Sequence, residues 1–511
     1  MPVRQDIAKK PTNSPGRIPI QSKGKKFIQV SFMKKIIIIL GSIFGGILVL
    51  LVGVSLYISS LLTEAFVVEQ IESTFNLRAE LKELDVGLFS GASVVLKGIA
   101  LGPRDSVANQ GKPLGERSPM VNKVISAESV DLSLELMPLL DKRLVVKRFV
   151  FEKPVVNLTM RANGTNNLGG LFKTPTVVNG KRNPALDEKP AAASNTNEPF
   201  RASDLGIAGD LQKVGLNDGL LNLQLASGDR LNFKNLDLFL TDIEVDAADL
   251  QNHNSAYLEL NTDVIVMSRV AGQEIARFLL RSDGKITPFD PKTGEVALNL
   301  RYDLTMKESS FMTGFVLMDQ LAGKLPDLKK AGVDMSEVAK KAELIRDVQI
   351  DVEYGRGLLK ILNDPTFPTR HYDLALLQGS TIKLGDSTHN FKGSVLASES
   401  ETDKAFKNLD KEIERALKGT KVDPVELRNK ALEKIIKDGR IHLDFTSVGA
   451  LSNPNVDLLV NLPELSDVIK SAGGDILKGK LDAEINKVIP GGKGAKEGKK
   501  VIDDALKKLP F

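Results

Sequence analysis

From residue 92 onward the chain changes face at every residue rather than every third or fourth. Val130, Leu132, Leu134 and Leu136 alternate with Asp131, Ser133 and Glu135, and Val296, Leu298, Leu300, Tyr302, Leu304 and Met306 alternate with Ala297, Asn299, Arg301, Asp303 and Thr305. A period of two puts one set of side chains on each face of a strand, so both stretches read as strands with one apolar face. The same reading gives strands from Leu88 to Gly102, Leu144 to Phe151, Val155 to Met160, Leu220 to Leu223, Leu231 to Leu240, Tyr257 to Val266, Ile275 to Leu280, Ile441 to Phe445 and Val456 to Val460. Pro138 closes one strand because it has no amide hydrogen for a ladder, and the polar turn Asp141-Lys142-Arg143 precedes the next.

Helical spacing is confined to a few places. Thr63 to Phe75 reads as a short helix and Ser336 to Ile345 as another, whereas Thr402 to Leu417 and Pro424 to Ile436 make a helical hairpin. Phe406, Leu409, Ile413 and Leu417 line the first arm and Leu427, Ala431 and Ile435 the second, with Pro424 at a helix start, where a missing amide costs nothing. Residues 466–488 and 501–509 carry spaced apolar positions in lysine-rich surroundings, which fits a sheet edge or an acidic membrane surface.

One stretch breaks both periods. Ile36 to Leu62 is 27 residues without a charge, long enough to cross a hydrocarbon core of about 30 Å as a helix. It runs past the length of a signal-peptide core with no small-x-small site after it, so the expectation is an uncleaved signal anchor. Gly41 and Gly45 within it have a small-xxx-small spacing common to membrane helices. The formal charge of +4 divides into +8 over residues 1–35 and −4 over the rest. By the positive-inside rule the N-terminus is cytoplasmic and residues 63–511 lie across the membrane. Residues 1–32 are basic and proline-bearing: either a disordered cytoplasmic tail or an extension ahead of a start at Met33.

The exported part is slightly acidic, which excludes a nucleic-acid partner. With no cysteine there are no disulfides and no thiolate metal sites, as suits a bacterial envelope protein with a large core. Catalytic chemistry finds no foothold. The four histidines, His253, His371, His389 and His442, never stand four apart, Gly87 to Gly91 places its serine one position too late for a nucleophile elbow, and no phosphate loop or dinucleotide fingerprint is present. Neither enzyme activity nor a cofactor or catalytic residue is expected.

The order of motifs resembles a known family. Ile125 to Leu132 leads to Leu136-Met137-Pro138-Leu139-Leu140, then to Val145 through Pro154-Val155-Val156, and closes on Asn163-Gly164-Thr165-Asn166-Asn167-Leu168. A strand, a P-L-L turn, a strand ending before proline and a glycine-asparagine-leucine turn, behind a signal anchor, are similar to the N-terminal signature of AsmA-family proteins. The likeness covers residues 33–172, extends to Val214–Leu240 and returns at Phe445–Leu458, and it departs at Leu168, where relatives commonly carry an aromatic. It implies a mainly β protein: an inner-membrane helix, then an elongated, bent, taco-shaped antiparallel sheet whose greasy face is a groove for phospholipid acyl chains, with a helical hairpin insertion and C-terminal amphipathic helices. The organisation is a tail at 1–32, an anchor at 33–62, an N-terminal β region at 63–172, a flexible proline-rich loop at 173–203, further sheet at 204–465 with the hairpin at about 402–437, and a helical tail at 466–511. Groove candidates are Val130, Leu132, Leu134, Leu136, Val296, Leu298, Leu300, Tyr302 and Leu304. The implied role is phospholipid transport between membranes and outer-membrane biogenesis, from the inner membrane into the periplasm, with an outer-membrane or periplasmic protein as possible partner. The alternative is a scaffold supporting outer-membrane protein insertion and envelope integrity without carrying lipid.

Overall fold

A computed structural model describes residues 63–459, except 88–91, 105–111, 136–137, 139–143, 162, 164, 173–174, 176, 179–180, 183–200, 206–208, 270–271, 315, 324–340, 384–387, 417–422 and 452. The expected anchor, the basic tail, most of the proline-rich loop and the C-terminal helical tail therefore lie outside the described residues, as does Leu136.

The chain enters through α1 (Glu64–Thr74). Thr63 caps it, its hydroxyl accepting from the Phe66 amide at 3.2 Å, and Glu64 adds a favourable charge at the N-terminal end. Val67, Val68 and Ile71 are buried. At the other end Arg104 donates to the Phe75 carbonyl at 3.0 Å, filling an acceptor the helix leaves open, while Arg117 pairs with Glu72 at 2.8 Å. The helix is thus tied to the sheet at its C-terminal turn.

The first half of the sheet comprises β1 (Leu77–Glu80), β2 (Glu83–Gly87), β3 (Ala92–Pro103), β4 (Ile125–Glu135), β5 (Leu144–Glu152) and β6 (Val155–Thr159), with β7 (Val177–Val178) and β8 (Lys181–Arg182) forming a separate two-stranded sheet. Four long strands make the centre: β9 (Gly209–Gln224), β10 (Arg230–Val245), β11 (Asn254–Met267) and β12 (Glu274–Phe289). The second half begins with β13 (Val296–Met306), β14 (Phe311–Thr313), α2 (Val316–Gly323), β15 (Lys341–Glu343), β16 (Val348–Gly355) and β17 (Leu358–Ile361). It continues through β18 (Thr366–Pro368), β19 (Tyr372–Leu376), β20 (Thr381–Lys383) and β21 (Thr388–Ala397). The helices α3 (Glu399–Ala416) and α4 (Pro424–Leu432) follow, then β22 (Ile436–Lys437), β23 (Arg440–Ala450) and β24 (Asn453–Leu458).

All but β7 and β8 belong to one sheet of 22 strands. These fill fifteen positions, because eight are occupied by single strands and seven by two short strands end to end: β1/β2, β5/β6, β13/β14, β15/β16, β17/β18, β19/β20 and β22/β24. The breaks have local causes. Between β5 and β6, Pro154 has no amide hydrogen and Lys153 takes a φ of 45°. Between β13 and β14, Ser309 has a φ of 67°, and between β19 and β20 Gly379 has a φ of 85°. The unbroken centre bends instead at bulges. Asn235 and Asp242, the residue types that best tolerate a left-handed backbone, stand at the two register shifts between β10 and β11.

Three expectations change here. The sheet is mixed rather than antiparallel: β9 runs parallel to both β5 and β6, because the chain crosses over through residues 160–208 instead of turning back in a hairpin. The end of the expected helix Ser336–Ile345 is strand β15, drawn into the ladder by β14. Finally, residues 348–397 hold six strands where sequence periodicity gave none; most are only three to five residues long, too short for alternation to stand out.

Two large cores sit at opposite ends of the sheet. The first packs α1 and the turn residues Leu168 and Leu171 on β1, β3, β4 and β5. The second packs α2, α3 and α4 on β16, β19, β21 and β23. The α3–α4 hairpin is closed by Arg428, which pairs with Asp410 at 2.6 Å and lies 4.4 Å over the Phe406 ring. Asp423 caps α4 by accepting from the Val425 amide, with Pro424 at the first helical position.

Candidate functional site: a continuous apolar sheet face

Cross-strand partners share a face, so the pairing registers trace what each face carries from strand to strand. One transverse row runs Val94, Leu132, Phe149, Val214, Leu240, Leu258, Gly284, Tyr302, Val352, Ile361 across ten strands. The row beside it runs Leu96, Val130, Phe151, Leu216, Leu238, Leu260, Ser282, Leu304, Ile350 across nine. No charged residue interrupts either. Two aliphatic hydroxyls on this face are turned into the sheet itself: Ser282 donates to the Leu260 carbonyl and Thr262 to the Lys234 carbonyl, both at 3.2 Å. Neither offers an open donor to water.

The opposite face is polar. Glu259, Asp283, Asp303 and Asp351 are cross-strand neighbours in sequence, and the row beside them carries Lys285 and Arg301. Stripes of opposite sign neutralise one another there. Tyr257 donates to Asp283, and the neighbouring carboxylate holds the phenol above its ordinary value. Phe239, also on this side, lies under the Lys213 ammonium at 4.2 Å.

Exposure along the apolar face is uneven. At the two ends it is sealed by the helices. Across β10 to β13 the cover is partial: Phe233, Leu240, Leu258, Leu260, Val264, Phe278, Leu280, Leu298 and Leu300 are half-buried and belong to none of the buried clusters, while Thr262, Ser282 and Ile286 on the same face are buried and Leu238 packs on the first core. Small residues, Ala256, Ala276 and Gly284, stand among them. At Gly284 an added methyl would press on the backbone of Arg301 and Tyr302, so β12 and β13 leave no room for a side chain there.

The candidate residues read from sequence divide accordingly. Val130, Leu132 and Leu134 are at most 1 % exposed and pack under the first core, against protein rather than solvent. Leu298 and Leu300 lie in the half-exposed stretch, Val296 stands at its margin with 38 % exposure, and Tyr302 and Leu304 touch the second core. Burial raises the Tyr302 phenol's pKa. Phe233, Leu258, Leu260, Val264, Phe278 and Leu280 share the open stretch with Leu298 and Leu300; their strands were legible, but which strands the helices leave bare is not written in any one of them.

Polar groups on the apolar face are few. One of them is the buried His389, whose Nε2 stands 2.6 Å from the Ser447 hydroxyl. Ser447 is wholly buried, so the pair has no approach for a substrate. Among the described residues, no group of three histidine, aspartate or glutamate side chains could hold a metal ion, and no helix is long and apolar enough to cross a membrane. No protein-family model, curated protein or solved structure matches the chain.

Proposed function

We propose that this chain is a non-enzymatic, lipid-handling protein of the bacterial envelope, held in the inner membrane by Ile36–Leu62, with its sheet in the periplasm acting as a groove for phospholipid acyl chains. The observation that carries the reading is the uninterrupted apolar face, only partly buried over much of β10 to β13 and backed by a charged outer face. Acyl chains need only apolar surface, and head groups stay in water at its margin. The AsmA-like motif order at residues 125–168 supports the same reading independently of the sheet.

Fifteen strand positions about 4.8 Å apart give a sheet on the order of 70 Å long. With both ends packed under helices and only the centre partly covered, the arrangement suits a carrier that hands lipid to a periplasmic or outer-membrane protein better than an open-ended conduit. The test is mass spectrometry of purified residues 63–511 for co-purifying phospholipid. Lipid at a fixed stoichiometry is the expected result. A protein free of lipid would sink the proposal in favour of a structural scaffold for outer-membrane assembly.

A further inference from the structure

Two phenols interrupt the apolar face where its partly covered centre meets the second core. Tyr302 on β13 lies between Gly284 and Val352, and Tyr354 on β16 pairs with Leu300. They are therefore diagonal neighbours on one face, roughly 7–8 Å apart and within reach of one another's rings. Both are half-buried. Among the described residues neither hydroxyl meets a hydrogen-bond partner, whereas Tyr257 on the opposite face donates to Asp283. Burial first, and the Tyr354 phenol second, raise the Tyr302 pKa, so that hydroxyl keeps its proton and can donate it to a hydrogen bond.

The surroundings decide what kind of acceptor fits. The cross-strand neighbours of the pair, Gly284, Ile286, Leu300, Val352 and Leu359, carry no charge, so a phosphate would find no counter-ion beside them. A neutral acceptor suits two neutral donors, and the two ester carbonyls of a glycerophospholipid lie between its head group and its chains. Tyr354 stands one residue from the end of β16, at the rim where Val296 is 38 % exposed and a head group stays in water. In the other direction the half-buried side chains of β12, β11 and β10 continue for three more strand positions, about 14 Å. We infer that Tyr302 and Tyr354 form the polar subsite of the groove, donating to the ester carbonyls of a bound glycerophospholipid. The head group then faces the β13–β16 rim and the chains run toward β10. This rests on the lipid-handling reading and adds to it an orientation that apolar surface alone does not supply.

The experiment uses the full-length chain in detergent with a phosphatidylethanolamine carrying a diazirine at the end of one acyl chain. Mass spectrometry reads the photoadducts on peptides of β10 to β13. Unlabelled competitors share the head group and chain length and differ only in linkage, diester or diether. The diester should suppress the adduct at a concentration about fivefold lower, the effect of one net hydrogen bond. Tyr302→Phe with Tyr354→Phe keeps both rings and should abolish that preference. Tyr372→Phe removes a sealed phenol from the adjoining core and should leave the preference intact. Equal competition by the two linkages in the unaltered chain, a preference that survives the double substitution, or its loss in Tyr372→Phe would overturn the subsite and leave the lipid reading standing. Absence of any adduct on the sheet would overturn the lipid reading and the subsite with it.

Discussion

A carboxylate placed at Leu300 and at Leu132 should separate a groove from a core. Both are leucines on the same face, Leu300 between Ile286 and Tyr354 and Leu132 between Val94 and Phe149. Leu300 is half-buried, so Leu300→Glu forfeits about half of the roughly 1.5–3 kcal/mol that full leucine burial contributes, and its charge still reaches water on the open side. The expected loss is about 1 kcal/mol. Leu132 is 1 % exposed, so Leu132→Glu forfeits the whole contribution and desolvates a carboxylate with no partner. The loss there is about 4 kcal/mol or more, a large part of the 5–15 kcal/mol that typically holds a domain together. Urea unfolding followed by circular dichroism on residues 63–511 measures both, and lipid retention is read by mass spectrometry on the folded variant. Leu300→Glu should fold and come out depleted of lipid. If it unfolds as readily as Leu132→Glu, or folds and keeps its full lipid complement, the central face is a closed core and the reasoning fails.

Three further outcomes follow from particular side chains. The Tyr372 hydroxyl is buried without a hydrogen-bond partner, and burial drives its pKa upward; Tyr372→Phe should therefore leave the melting temperature unchanged or raise it, corresponding to about 0–2 kcal/mol. Burial lowers the His389 pKa below the ordinary 6.5, so the folded protein resists a proton that the unfolded chain accepts. Its contribution should be flat above about pH 7 and become destabilising as pH falls through 6.5, and His389→Leu should flatten that part of a stability-versus-pH curve. At Gly284 a methyl would collide with the Arg301 and Tyr302 backbone; Gly284→Ala should cost about 1–3 kcal/mol in urea unfolding.

Sequence alternation was enough to find the apolar face but not its cover. Val296 through Met306 is strand β13 as its period of two required, and Thr63 and Pro424 mark helix starts because capping chemistry is local. What failed was non-local. The alternation at Val130–Leu134 is the same as at Leu298–Leu304, yet one set lies beneath a core and the other has part of its length bare, because α1 folds back on one end of the sheet. The parallel pairing of β9 with β5 and β6 could not be read, since residues 209–219 alternate weakly and the crossover spans a long connection. Short strands such as β15, β18 and β20 carry three residues each, and only their neighbours in the ladder identify them.

The order of positions across the sheet closely follows the order of residues along the chain. Each new position, β9 on β5 and β6 included, is laid against one already made, so during synthesis most emerging strands meet a finished edge and need not wait for a distant partner. The cost is that every intermediate length exposes one unpaired strand edge and a growing strip of apolar face. That exposure ends only at β24, where Pro454 removes one outward amide and α2 packs alongside. A chain halted within β10 to β13 would carry one finished core, no second core and a sticky edge, the length at which this protein is most prone to aggregate.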